Sequence, residues 1–99
     1  MNRVVFRQKA IDDLSDIWEY TVLKWSENQA DKYYQTIIKA CQEIGRAPDV
    51  GRKYNAIRQN LSGFKTGKHI IFYQLISERK IEIIRILHEQ MDLKNRLID

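Results

Sequence analysis

Cysteine and proline are almost absent from this chain, with one of each among 99 residues. The lone Cys41 has no partner for an internal disulfide, which suits a reducing compartment such as the cytoplasm. Histidine is scarce as well. Two histidines and one cysteine are too few, and too badly spaced, to hold a metal ion. No apolar run approaches the ~20 residues that a bilayer requires. The opening Met1 to Arg7 is too short and too charged for a secretory signal. There is no glycine-rich phosphate loop, since Gly63 and Gly67 read as turn glycines. Repeats, low-complexity tracts and linkers are also missing.

What is present describes one folded domain. Hydrophobic residues make up 43% and charged residues 30%, which is ordinary for a packed chain and wrong for a disordered one. A domain this small buries about 60–65% of its unfolded surface, so each element must contribute to the core. The net charge of +4 is unevenly placed. Arg46, Arg52, Lys53, Arg58, Lys65 and Lys68 face only Asp49 between residues 45 and 69, whereas the flanking segments are close to neutral. Such a segment attracts phosphates or an acidic protein surface, or is simply a solvated basic face.

The pattern predicts β-α-α-β-β-β. Arg3 to Arg7 reads as a short strand. Ile11, Leu14, Trp18, Val22 and Trp25 recur at helical steps and define one face of a first helix. Ser26 to Gln29 reads as a capping box for a second helix. Its apolar face carries Ala30, Tyr34, Ile37, Cys41 and Ile44, flanked by Tyr33 and Ile38, and Gly45 and Pro48 stop it. Almost no loop separates the two helices, so an antiparallel hairpin follows. Residues 45–56 are loop-like, and strands begin at Ile57. A tight turn at Thr66-Gly67 leads into His69 to Ile76, which is apolar on both faces. The last strand, Ile81 to His88, sets Ile81, Ile83, Arg85 and Leu87 against Glu82, Ile84, Ile86 and His88. The fold class expected is α+β, an antiparallel sheet packed against an N-terminal helical hairpin, its opposite face partly covered.

Two segments then carry a resemblance: Leu61-x-x-Phe64-x-x-Gly67-x-His69-x-Ile71-Phe72-Tyr73 and Ile83-x-Arg85-Ile86-Leu87-His88-x-x-Met91-Asp92. With the element order, they make the chain resemble the RelE/ParE superfamily of type II toxins, and within it the ParE branch. The resemblance covers nearly the whole chain as a single domain. It implies a cytoplasmic plasmid-maintenance toxin that binds DNA gyrase, on the A-type protomer of that enzyme, and holds it on cleaved DNA. It also implies neutralisation by a ParD-like antitoxin, whose disordered tail folds along the helical hairpin and sheet edge. Neither a membrane nor a specific nucleic-acid sequence is an expected partner, and no cofactor is expected.

RelE-like relatives instead cut mRNA on the ribosome, which requires a base, an acid and phosphate-holding cations. Here Ile70-Ile71-Phe72 stands where those relatives place an arginine, and no tyrosine follows Tyr73. The nuclease set is incomplete, so no catalytic residue is assigned and a binder is favoured over an enzyme. The alternative, a ribosome-dependent endonuclease, rests on Lys65, Lys68, His69, Arg85, His88 and Glu89 gathering at one sheet edge. A third reading is a non-toxic member of the family that only binds. Residues expected at the target surface are Arg52, Lys53, Arg58, Lys65, Lys68, Arg85, His88, Met91 and Asp92. Trp18, Trp25, Tyr33 and Ile37 are expected to face the antitoxin. The two histidines serve equally as strand-end residues that cap a carbonyl or pack locally. Arg85, on an otherwise apolar face, needs a partner such as Asp92 or a ligand phosphate. Asp12, Asp13, Asp16 and Glu19 read as a solvated acidic face.

Overall fold

Ser26 begins the second helix as its hydroxyl accepts the Gln29 backbone N–H at 3.0 Å, satisfying one of the free donors of the first turn. The computed structural model describes residues 2–97. It places α1 at Gln8–Lys24 and α2 at Glu27–Arg46, joined by Trp25 and Ser26 alone. Trp18 Nε1 donates to Asp31 at 2.9 Å and pins the two helices across this short connection.

The strands are β1 (Arg3–Phe6), β2 (Arg52–Lys53), β3 (Ser62–Thr66), β4 (His69–Ser77) and β5 (Lys80–His88), followed by a short α3 (Leu93–Leu97). They form one sheet in the order β1-β5-β4-β3-β2. The expected α+β order is present, with additions. Part of the predicted loop, Arg52–Lys53, pairs with β3 as an extra edge strand. Residues 57–61 are not strand; Asn60 there takes a positive φ of 63°, which interrupts an extended run. β1 joins β5 in parallel, whereas the other pairs are antiparallel. Local alternation marks a strand but not its neighbour or direction, so this could not be read from residues 3–6 alone.

The turn between β3 and β4 holds Gly67 at φ +58°, the left-handed conformation that a two-residue hairpin demands of its first residue. Gly45 has a different role from the one expected. It lies inside α2, not beyond its end, and is buried against β1; an added Cβ would sit 2.9 Å from Val4 Cγ2. Close packing of α2 on β1 therefore selects glycine here.

The sheet is covered on both faces. On one, Ala10, Leu14, Ile37, Cys41 and Ile44 of the hairpin bury Ile71, Tyr73, Ile81, Ile83 and Ile86. Burial pushes the Cys41 thiol up to about 12, so it behaves as a small apolar side chain. On the other, Leu61 and Leu97 close over Ile70, Phe72, Ile84 and Leu87, with Tyr54, Ile57 and Leu93 alongside. The alternation predicted for β5 breaks at a bulge. Phe72 faces Arg85 while Tyr73 faces Ile83, leaving Ile84 as the extra residue. Ile86 consequently turns to the helices and Leu87 away from them. Further along β4, Leu75 and Ile76 are 50% and 44% exposed, so this strand is buried on both faces only in its first half.

The buried Tyr73 hydroxyl links sheet to loop, accepting the Gly51 N–H at 3.0 Å and donating to the Pro48 carbonyl. Tyr73→Phe is expected to cost about 1–2 kcal/mol by leaving both loop groups without this partner. Urea unfolding measures it; a loss under ~0.3 kcal/mol would show that water replaces the hydroxyl.

Candidate functional site

Two grooves and one buried ion pair collect the chemistry-bearing residues. The pair forms where β1 ends. Beyond Ile83, no strand among the described residues continues β1 along the edge of β5. Asp13, on the second turn of α1, takes that place. Its Oδ2 accepts the Ile86 backbone N–H at 2.9 Å. Its two oxygens also receive Arg85 Nε at 2.8 Å and Nη2 at 2.9 Å, a bidentate pair. Both side chains are largely buried, and Arg85 Nη1 reaches the Arg96 carbonyl at 3.3 Å. Arg85 thus has Asp13 as its carboxylate, not Asp92. Asp92 instead accepts from Asn95 at 2.6 Å as α3 begins. Asp12, Asp16 and Glu19 are exposed, as a solvated acidic face requires, but Asp13 is not part of that face.

The first groove, about 760 Å³, runs along the outer face of the hairpin between α1 and α2. Phe6, Ile11, Leu14, Trp18, Tyr34 and Ile38 supply its apolar wall. Much of the helical stripe read as core therefore lines a surface cleft. Ile11 and Tyr34 are 44% and 37% exposed. The helices are seated on the sheet by Leu14, Ile37, Cys41 and Ile44 of those stripes, together with the small Ala10 and Ala40.

The second groove, about 560 Å³, lies at the end of the hairpin, between the C-terminal turn of α1, the start of α2 and the β3–β4 turn. Tyr20, Lys24, Trp25, Tyr33, Lys68 and His88 line it, together with His69. The Tyr33 hydroxyl is the centre of its floor. It lies 2.6 Å from His69 Nδ1, accepts the Lys68 backbone N–H at 3.2 Å, and is 3.4 Å from the Thr66 carbonyl. The Tyr33 and His69 rings lie 5.5 Å apart, and His69 and His88 meet edge to face at 5.3 Å. The Gln90 backbone N–H donates to His88 Nδ1 at 3.1 Å.

Acidities in this region move away from neutrality. Burial, and then the neighbouring His88, lower His69 to about 4, against the opposing pull of Asp13 and Glu89. Burial raises the Tyr33 hydroxyl further. Lys65 and Glu89 bridge at 2.7 Å on the surface; their hydrogen bond raises the lysine and lowers the carboxyl. His69 is therefore neutral in the fold near pH 7. Its depressed value has a definite sign for stability. Below its ordinary 6.5 the unfolded chain takes up a proton that the folded ring refuses until about 4. The His69 contribution to stability is complete above about pH 6.5 and falls as the pH drops toward 4. Unfolding midpoints across that window are expected to decline, and less steeply in His69→Gln; equal slopes in the two proteins would reject the assignment.

The residues expected at a target surface are not brought together. Arg52, Lys53 and Arg58 lie on β2 and the turn after it, with the Arg52 guanidinium 5.8 Å from the Tyr54 ring. Lys65, Lys68 and His88 gather at the β3–β4 turn end of the sheet, and Arg85 sits against α1. Met91 and Asp92 are exposed beyond β5. Of the residues expected to face an antitoxin, Trp18 lines the first groove, while Trp25 and Tyr33 line the second. Ile37 is 0% exposed and holds α2 to the sheet, so it offers no surface. Among the described residues, no three His, Cys, Asp or Glu side chains are placed to hold a metal ion. None of the described helices is long and apolar enough to cross a membrane.

This helical hairpin on a five-stranded sheet is the fold of solved RelE/ParE-type toxins. The chain superimposes on a chain of the chromosomal ParDE toxin–antitoxin system from P. aeruginosa with a TM-score of 0.76, at 18% identity, covering 89% of this chain and 96% of that one. Against the toxin–antitoxin complex RelBE2 from Mycobacterium tuberculosis the TM-score is 0.63, at 17% identity, with 88% and 96% covered. In sequence, the chain is 29% identical to Toxin ParE1 of Mycobacterium tuberculosis over 96 residues, covering 97% of this chain and 98% of that protein. It is 30% identical over 90 residues to Toxin ParE1 of Caulobacter vibrioides, covering 91% and 92%. Residues 4–93 match the family model for the ParE toxin of the type II toxin–antitoxin system, parDE. The chain belongs to that family.

Proposed function

We propose that this ParE-type toxin acts as a binder of DNA gyrase, on the A-type protomer of that enzyme, and not as a nuclease. The observation that carries the reading is the occupied state of the side chains RNA cleavage would need. Arg85 is held bidentate by Asp13, and Lys65 is held by Glu89. His69 lies near 4 and Tyr33 is raised, whereas proton transfer at neutral pH is best served by groups that titrate near 7. Membership among the ParE toxins supports the same reading. The toxin works in the cytoplasm and serves plasmid maintenance. The contact surface comprises the basic β2 segment with Arg52, Lys53 and Arg58, and the segment from His88 through Met91 to Leu97.

The test is a supercoiling reaction with gyrase, plasmid and ATP. Protein-linked linear DNA that grows with toxin dose is the expected result. Undisturbed supercoiling at toxin excess rejects the proposal. The gathering of Lys68, His69 and His88 in one groove favours a second reading, ribosome-dependent mRNA cleavage. Codon-positioned cuts in programmed ribosomes, lost in His88→Ala, would establish it instead.

The neutralising partner is a ParD-like antitoxin. Its tail docks in the first groove, where an amphipathic segment covers Ile11, Trp18, Tyr34 and Ile38. Solved structures of this fold include a toxin–antitoxin complex, which is consistent with such a partner.

A further inference from the structure

The second groove has a composition that neither the core nor the first groove shares. Exposed aromatic rings line it beside lysines, and no carboxylate is among its described lining residues. Trp25 and Tyr20 are 72% and 62% exposed and line the same groove, so two amphipathic rings are accessible there side by side. The Lys24 ammonium lies 5.9 Å from the Tyr20 ring centroid on one wall, and Lys68 stands on the β3–β4 turn opposite. The Tyr33–His69–His88 series of rings forms a polar floor between them. The turn itself is built to fit this floor. A Cβ on Gly67 would fall 2.7 Å from the Tyr33 ring, so glycine keeps Lys68 and Tyr33 close. A volume of about 560 Å³ falls within the range of small-ligand clefts.

We infer that this groove is a binding site for a nucleotide unit of single-stranded nucleic acid, its base stacked on Trp25 or Tyr20 and its phosphate between Lys24 and Lys68. Every base has a face to stack and every nucleotide a phosphate, so the site reads no sequence. The chemistry separates this ligand from an acidic peptide. An acidic peptide would pair with the lysines but leave the exposed ring faces bare, whereas a nucleotide engages both at once. The inference rests on the groove alone and holds whether gyrase or another machine is the target. Proton transfer is no part of it.

Binding is read from Trp25 fluorescence in the full-length chain carrying Trp18→Phe, which leaves one tryptophan. The probes are a ten-nucleotide oligothymidylate, adenosine monophosphate, inorganic phosphate and poly-glutamate, with no gyrase present. The oligonucleotide is expected to quench saturably, and the mononucleotide more weakly. Phosphate should compete without quenching. One neutralised phosphate on a single strand gives a slope of log K against log salt of about −0.7. Lys24→Ala and Lys68→Ala are each expected to weaken binding at least tenfold while circular dichroism stays unchanged. Quenching by mononucleotide but not by the strand would assign the site to a free nucleotide and overturn the strand reading. Absence of saturation by about 1 mM oligonucleotide, indifference to both lysine substitutions, or equal competition by poly-glutamate would each overturn the proposal. The last of these would make the groove an acidic-protein surface.

Discussion

Asp13→Ala is expected to lower the stability of this domain by about 3–5 kcal/mol. The substitution removes a bidentate carboxylate partner of a largely buried arginine and the acceptor of the Ile86 N–H together. A domain of this size holds only about 5–15 kcal/mol in total, so a large part of the population would unfold at physiological temperature. At ~4–8 °C per kcal/mol the fall in Tm exceeds about 12 °C. Asp13→Asn keeps one oxygen for the Ile86 N–H but removes the charge and sets an amide NH2 against the Arg85 guanidinium, so it is expected to recover only part of the loss. A double-mutant cycle with Arg85→Met separates the pair from the backbone contact, since Asp13 still caps Ile86 when Arg85 is gone. Asp13→Ala costing under ~1 kcal/mol would mean that water enters the clasp and replaces the carboxylate. The clasp matters for the fold because it completes β5 where β1 stops; without it the last strand has an open edge beside α1.

Trp18→Ala is expected to weaken the antitoxin complex by about 2–4 kcal/mol, on the order of 30- to 1,000-fold in Kd. Trp18 stands in the wall of the first groove, fixed by its hydrogen bond to Asp31, so its ring is already ordered before a partner arrives. An ordered aromatic anchor loses little entropy on binding, and most of the change should appear in the dissociation rate. Trp25→Ala removes a ring of equal size from the other groove and should change the affinity less than threefold. Surface plasmon resonance with the cognate antitoxin, together with circular dichroism of each free variant, makes the comparison. A larger effect from Trp25 than from Trp18 would place the tail at the β3–β4 turn and refute docking along the hairpin.

The two tryptophans show where sequence reasoning reaches its limit. Helical spacing sets Ile11, Leu14 and Trp18 on one stripe, and that stripe exists, whereas Trp25 lies past the end of α1 and joins the other groove. Ile11 nevertheless lies outside the core, because a helix in this domain has apolar residues facing both the sheet and its neighbouring helix. The small Ala10 and Ala40 let α1 and α2 approach the sheet, while the large rings fill the cleft outside. Tyr33 and Tyr34 exchange places for a similar reason. One helical position turns Tyr33 toward the β3–β4 turn and Tyr34 into the hairpin groove. In β5 the predicted alternation holds as far as Ile83 and fails at the bulge, where an extra residue moves every later side chain to the other face.

Residue order alone determined the helix pair, its Ser26 cap, the β3–β4 turn at Gly67 and the strands on either side of it. These features depend on neighbours within a few positions, through local hydrogen bonds, backbone freedom and the period of apolar residues. It also carried the family, because the segments from Leu61 to Tyr73 and from Ile83 to Asp92 keep their spacing. Tertiary structure decided the partner of Arg85, the parallel seat of β1, the bulge at Ile84 and the separation of two grooves at the hairpin. Asp13 and Arg85 are far apart along the chain, and their attraction exists only once α1 has packed against β5. Such a contact depends on how whole elements meet, a quantity that no local pattern contains.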